Sequence, residues 1–287
     1  MSENLRIAFA VVLILVVGFV GYRFIFPSDD TVPLLVQAVE GSVHHIDQNG
    51  ERATVSPGLI LERSSRIETQ ADGRAFLALG EGSTLTIDQA SSVRILDVTR
   101  EGVRIELDNG SVEATVRPER GSLGIVSADR EVIGRDGSFA VGVNAGGSMA
   151  VETHQGSVEI LGVDSLNVLE QGERLLLLSD GTPRVASIPE SLLLEVAWPE
   201  SARTRHAEVA VRGLTDPGAE VRVGAAGRWT TVVADASGHF EASIPLEEGD
   251  NPLRVVSKGP LGRTSEDETV VSRDSEPPNA ASFEVKY

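Results

Sequence analysis

The chain has 287 residues, no cysteine, 4% aromatic residues and a formal net charge of −18. A surface this acidic repels phosphate backbones, which argues against nucleic acid as a partner. Without cysteine there are no disulfides, so an exported form must be held by packed cores, and few aromatics leave little for a broad sugar-stacking platform.

Taken in chain order, residues 1–6 are a short polar start. Ile7 to Phe26 is then an almost unbroken apolar run, interrupted only by Arg23. A helix rising ~1.5 Å per residue needs about 20 residues to cross the hydrocarbon core, and this run supplies them. Arg6 and the amino terminus precede the run and Asp29-Asp30 follow it, so residues 1–6 are expected in the cytoplasm and the remainder outside. The run is longer than the apolar part of a signal peptide, and a cut after Gly21 would place Phe19 at the minus-three position, so an uncleaved anchor is expected. The expectation is thus a single-pass membrane protein with its mass on the exported side.

Residues 27–33 read as a spacer. From Leu34 to Val185 the pattern is period-two alternation rich in Val, Ile and Thr, as in Arg74–Leu79, Ser83–Ile87, Val103–Leu107 and Ser111–Val116. An x-Gly-Ser unit recurs at Glu40-Gly41-Ser42, Glu81-Gly82-Ser83, Asn109-Gly110-Ser111, Asp136-Gly137-Ser138 and Gln155-Gly156-Ser157. Glycine supplies the positive φ of tight turns, so each unit is expected to be a hairpin that opens a short strand. The irregular spacing suits a β-sandwich or short coiled β-roll over 34–185 rather than a strict repeat.

Prolines 183, 189 and 199 bracket a junction, with a linker at 186–194 in which Pro189 to Leu194 could form one helical turn. A second β module is expected at 195–275. Its strands are Leu193–Ala197, Glu208–Arg212, Ala219–Val223, Trp229–Val233, His239–Ile244, Pro252–Val256 and Glu268–Val271, a spacing of immunoglobulin-like type. Residues 276–287 are left as a tail. The fold class is therefore all-β behind one transmembrane helix.

No catalytic motif stands out, and the expected site list is empty: no catalytic, cofactor-binding or metal-ligating residue, no cofactor, and no enzyme. His44 and His45 are neighbours that point to opposite faces of a strand, and His154, His206 and His239 are isolated. Gly80-Glu81-Gly82, Asp72-Gly73 and Asp235 to Gly238 read as turns rather than phosphate or calcium loops. Trp229 and Phe240 are expected in the core of the second module, and Trp198 at the domain junction. The acidic run Leu246 to Asp250 is expected to be a solvated loop, with a contact for a basic partner as its functional alternative. Whether a divalent cation binds such loops is left open.

Two resemblances follow from particular stretches. Val39–Val43, Val55–Gly58, Arg66–Thr69, Gly73–Leu79 with Gly82–Ile87, Leu107–Val112, Gly134–Val141 and Thr153–Ile160 occur in the order of the FecR-type periplasmic domain, which the segment from Leu34 to about Leu161 resembles. Val211–Val221, Ala234–Phe240, Pro245–Asn251 and Arg273-Asp274 make the second module similar to a bacterial immunoglobulin-like repeat. The first resemblance implies an exported domain that binds protein partners. FecR-type sensors also carry a cytoplasmic sigma-factor-binding segment, for which residues 1–6 are too few, so that role is not carried over.

The function expected is that of a membrane-anchored, non-enzymatic protein-binding or scaffold module whose partner is an envelope protein or complex. The alternatives are a FecR-like sensor or regulator acting through a partner, or a binder of cell-wall polysaccharide. Residues 7–26 make the membrane contact, and homo-oligomerisation is left open.

Overall fold

A computed structural model describes residues 34–275, apart from Glu81, Ser165, Glu200 and Ala226. The expected span at 7–26, its flanks at 1–6 and 27–33, and the tail at 276–287 lie outside the described residues. Among those described, no helix is long and apolar enough to cross a membrane. The one helical element there is a 3-10 turn at Pro118–Arg120, and everything else regular is strand. The described residues adopt the expected all-β class.

The first region is a 15-stranded sheet coiled on itself. Three strands are far longer than the alternating segments alone suggest: Gly102–Val116, Arg130–Val143 and Met149–Leu161. Each changes neighbours part-way. Gly102–Val116 pairs near its start with Ser92–Val98 and Ser122–Ser127, then near its end with Thr84–Ile87 and Arg130–Val143. Met149–Leu161 pairs first with Glu173–Leu177 and then with Val168–Glu170. The side chains enclosed by the coil form one core, with Leu34, Ile67, Leu77, Ile95, Ile125 and Phe139 fully buried.

These changes of partner correct the hairpin reading of three x-Gly-Ser units. Gly110, Gly137 and Gly156 lie inside continuous strands, at φ of +90°, +108° and +73°. A positive φ turns the chain sharply while the ladder resumes beyond it, so these units are corners of the coil. Gly137 and Gly156 are register partners, and a Cβ on Gly137 would sit 2.1 Å from the Gln155 carbonyl oxygen. Only a bare backbone allows the two corners to stack.

The strand Pro183–Ser187 still belongs to this sheet and reaches into the stretch expected as linker. No helical turn forms at 189–194. The Thr215 hydroxyl donates to the Leu193 carbonyl at 2.7 Å, drawing the chain into the strand Leu194–Ala197 instead.

The second region is a three-stranded sheet, Leu194–Ala197, Glu208–Thr215 and His239–Pro245, facing a five-stranded one ordered Arg203–Thr204, Thr264–Arg273, Gly249–Lys258, Glu220–Ala225 and Arg228–Val233. Val211, Phe240 and Ile244 from the first sheet meet Val221, Val223 and Val255 from the second. Alternation buries every second residue, as in His239–Pro245, where Phe240, Ala242 and Ile244 point inward.

Candidate functional site at the junction of the two β regions

Strands Met149–Leu161 and Glu173–Leu177 form a ladder with two different faces. Met149, Val151, Leu175 and Leu177 enter the first core. Ala150, Glu152, Arg174 and Leu176 occupy the opposite face, which points at the second region. Ala150, Leu176 and Leu178 form a small apolar cluster there, against Ala236 and Leu261.

Glu152 and Arg174 are directly opposite in register. Glu152 is only 1% exposed, yet Arg263 from the second region donates to both its oxygens, at 2.7 and 2.6 Å. Arg174 Nε stands 3.6 Å from Glu152, and its Nη1 donates to Asp216 of the second region at 2.8 Å. The charges alternate through Arg263, Glu152, Arg174 and Asp216, so each buried ion has an opposite neighbour. Burying unpaired charge is costly, and a chain of alternate signs offsets that cost.

Local turns bring these groups together. Arg263 closes a hairpin in which Gly259 donates to its carbonyl at 2.9 Å. Pro260 at the hairpin tip comes so near the first region that a Cβ on Gly142 would lie 2.2 Å from its carbonyl oxygen. Asn144 donates through Nδ2 to the Gly218 carbonyl and accepts from the Ser148 amide at 3.0 Å, tying the Asn144–Ser148 turn to the turn that carries Asp216. Two clefts flank the seam. One, of about 260 Å³, runs between Asn109, Asn144, Glu220 and Lys258; the other, of about 420 Å³, between Arg74, Asp88, Lys258 and Thr264. Arg74 already donates to Asp88 at 2.9 Å, and the Ser111 hydroxyl does so at 3.3 Å, with no histidine lining either cleft. Side-chain and turn contacts thus join the two regions across the seam.

The residues weighed from sequence lie elsewhere. His44 and His45 are half-buried in Val43–Ile46, His154 lies in a long strand, and His206 and His239 are exposed. Among the described residues, no three of His, Asp and Glu gather where a metal ion could sit. Asp235 accepts from the Ser237 and His239 amides at 2.7 and 3.0 Å, which holds its carboxyl below its ordinary value of 3.8. Asp47 and Asp180 are lowered in the same way by amides of their own turns, led by Glu51 and Thr182 respectively. Within the acidic run, Glu247 pairs with Arg228, and Glu248 accepts from Ser275 and pairs with Arg273.

One aromatic expectation is corrected, that for Trp229. Phe240 is buried, but Trp229 is 40% exposed, because Thr230 and Val232 pair with the inward-facing Val223 and Val221 and so take the inner face. The indole lies across Gly224, with the Arg222 guanidinium 4.9 Å from the ring centre. Trp198 packs on the second core and donates to Asp267 at 3.0 Å.

Residues 65–159 match the family model "FecR protein". The matched stretch lies inside the segment from Leu34 to about Leu161 that resembles the family in sequence, and it contains the corners at Gly110, Gly137 and Gly156 and the junction residue Glu152. Among solved structures, a candidate anti-sigma factor from Parabacteroides distasonis ATCC 8503 is similar at 19% identity and a TM-score of 0.39, over 42% of this chain and 59% of that one. The chain thus spans about three-fifths of that structure. Fibronectin(III)-like modules of Clostridium thermocellum CbhA are similar at 15% identity and a TM-score of 0.27, over 64% of this chain and 95% of that one. No curated protein gives a significant match.

Proposed function

We propose that the protein is a non-enzymatic protein-binding module of the bacterial cell envelope. In this reading Ile7 to Phe26 anchors it in the inner membrane. A FecR-like β-roll at 34–185 and an immunoglobulin-like sandwich at 195–275 then stand in the periplasm as one unit. The observation that carries the reading is the FecR match at 65–159, which favours an envelope sensor or regulator working through partners. The alternating ion chain at the seam supports display of both modules as a single surface, because a partner would then meet edges whose spacing is fixed.

A regulator that relays a signal through a second protein is the alternative favoured by the same match. Cross-linking the full chain in intact cells and identifying what is captured separates the readings. A stoichiometric envelope protein supports the binding module, and one that spans the membrane with a cytoplasmic domain favours the relay. Capture of glycan fragments alone overturns both in favour of wall binding.

A further inference from the structure

The strand Arg228–Val233 is the outer edge of the five-stranded sheet. Its pairing with Glu220–Ala225 runs without a register shift, and beyond its end the Ala234 amide donates to the Ala219 carbonyl at 2.9 Å. In an antiparallel ladder, successive residues alternate between bonding inward and facing away. Ala234, Val232, Thr230 and Arg228 therefore bond inward. Trp229, Thr231 and Val233 direct their amides and carbonyls away from the sheet, six groups with no ladder partner among the described strands.

The side chains of these three residues also share the solvent face, with Trp229 40% and Val233 45% exposed. Sheet edges are commonly blunted by proline, by central charge or by shortness. This edge has neither proline nor charge between Trp229 and Val233. Another edge strand, Pro183–Ser187, begins with proline and carries Arg184. At its far end the Arg228–Val233 edge is approached but not paired by Gly146, where a Cβ would lie 3.1 Å from Val233.

We propose that this edge is a self-association surface whose occupant is the same strand of a second copy of the chain. Laid antiparallel about a twofold axis at Thr231, the two strands place Thr231 opposite Thr231 and Trp229 opposite Val233. The three outward residues of each strand then exchange hydrogen bonds, joining two five-stranded sheets into one. Thr–Thr and aromatic–β-branched pairs are among the favourable cross-strand combinations, and the sequence Trp-x-Thr-x-Val supplies both when paired with itself. The contact is isologous and closes at two copies.

The test uses the full chain purified in mild detergent. Because it has no native cysteine, Thr231→Cys introduces a single thiol. Directly opposed, hydrogen-bonded residues have Cα atoms about 5.5 Å apart, within disulfide reach. Mild oxidation is expected to yield a covalent dimer with Thr231→Cys and none with Val185→Cys on the other edge. In sedimentation, the unmodified chain is expected to dimerise, and Thr231→Lys to weaken that dimer roughly tenfold or more by setting like charges opposite each other, with an unchanged circular dichroism spectrum. An unmodified chain that stays monomeric, or cross-linking by Val185→Cys but not Thr231→Cys, overturns the proposal.

Discussion

Arg263 holds Glu152 across 111 residues of sequence with two hydrogen bonds, of 2.7 and 2.6 Å, and so joins the first β region to the one that follows it. Glu152 sits on a ladder face whose reverse side is the first core, so the grip is anchored in the most buried part of the fold. Arg263→Ala leaves that carboxylate with only Arg174, 3.6 Å away. The expected cost is about 3 kcal/mol in urea unfolding, with faster proteolysis in the 188–193 stretch. Arg263→Met combined with Glu152→Met should cost clearly less than the sum of the two single changes, since no buried charge is then left unmatched.

The corners give a second, sharper contrast. Gly137→Ala would force a side chain into φ of +108° and within 2.1 Å of the Gln155 carbonyl, so a loss of about 3 kcal/mol or more is expected. Gly172 has a similar φ of +82° but nothing within 4 Å of an added Cβ. Gly172→Ala should therefore cost only about 1 kcal/mol, and thermal melting of the two variants checks the difference.

Phe139 is 1% exposed, and its ring lies where a Cβ on Gly134 would come within 2.1 Å of it. Phe139→Ala empties that space and should cost about 3–5 kcal/mol, read as a lower urea midpoint with an unchanged slope.

Acid should weaken the protein at exposed turns and pairs. Asp47, Asp180 and Asp235 are held below 3.8 chiefly by backbone amides. Glu241 is held below 4.5 by Arg212, and Glu248 by Ser275. A carboxyl with a depressed folded pKa contributes stability above its ordinary value and loses it as pH falls through the folded one. The urea midpoint is therefore expected to be flat between pH 7 and 5 and to fall below about pH 4. Asp235→Asn should make that fall shallower.

Strand content was legible because alternation is local. Arg74–Leu79 and the second region's His239–Ile244 can be read from a few residues each. The corners were legible only as glycines: a positive φ serves equally in a hairpin or within a long strand, and only the neighbouring strands decide which. The seam was not legible at all. Glu152, Arg174, Asp216 and Arg263 are ordinary charged residues scattered over more than a hundred positions, and only a ladder of the first region together with two turns of the second brings them into line. Trp229 was misread because alternation divides a strand into two faces without saying which is inner; the pairing with Val221 and Val223 says it.

The central claim is that the two β regions act as one binding surface. Its most direct test is in-cell cross-linking of the full chain beside its Arg263→Ala variant, at matched expression. The account predicts that the unmodified chain captures one stoichiometric envelope protein and that the variant, still folded, captures markedly less of it. Equal capture by both would contradict the claim that the fixed seam matters, and capture of nothing but glycan would contradict the protein-binding role itself.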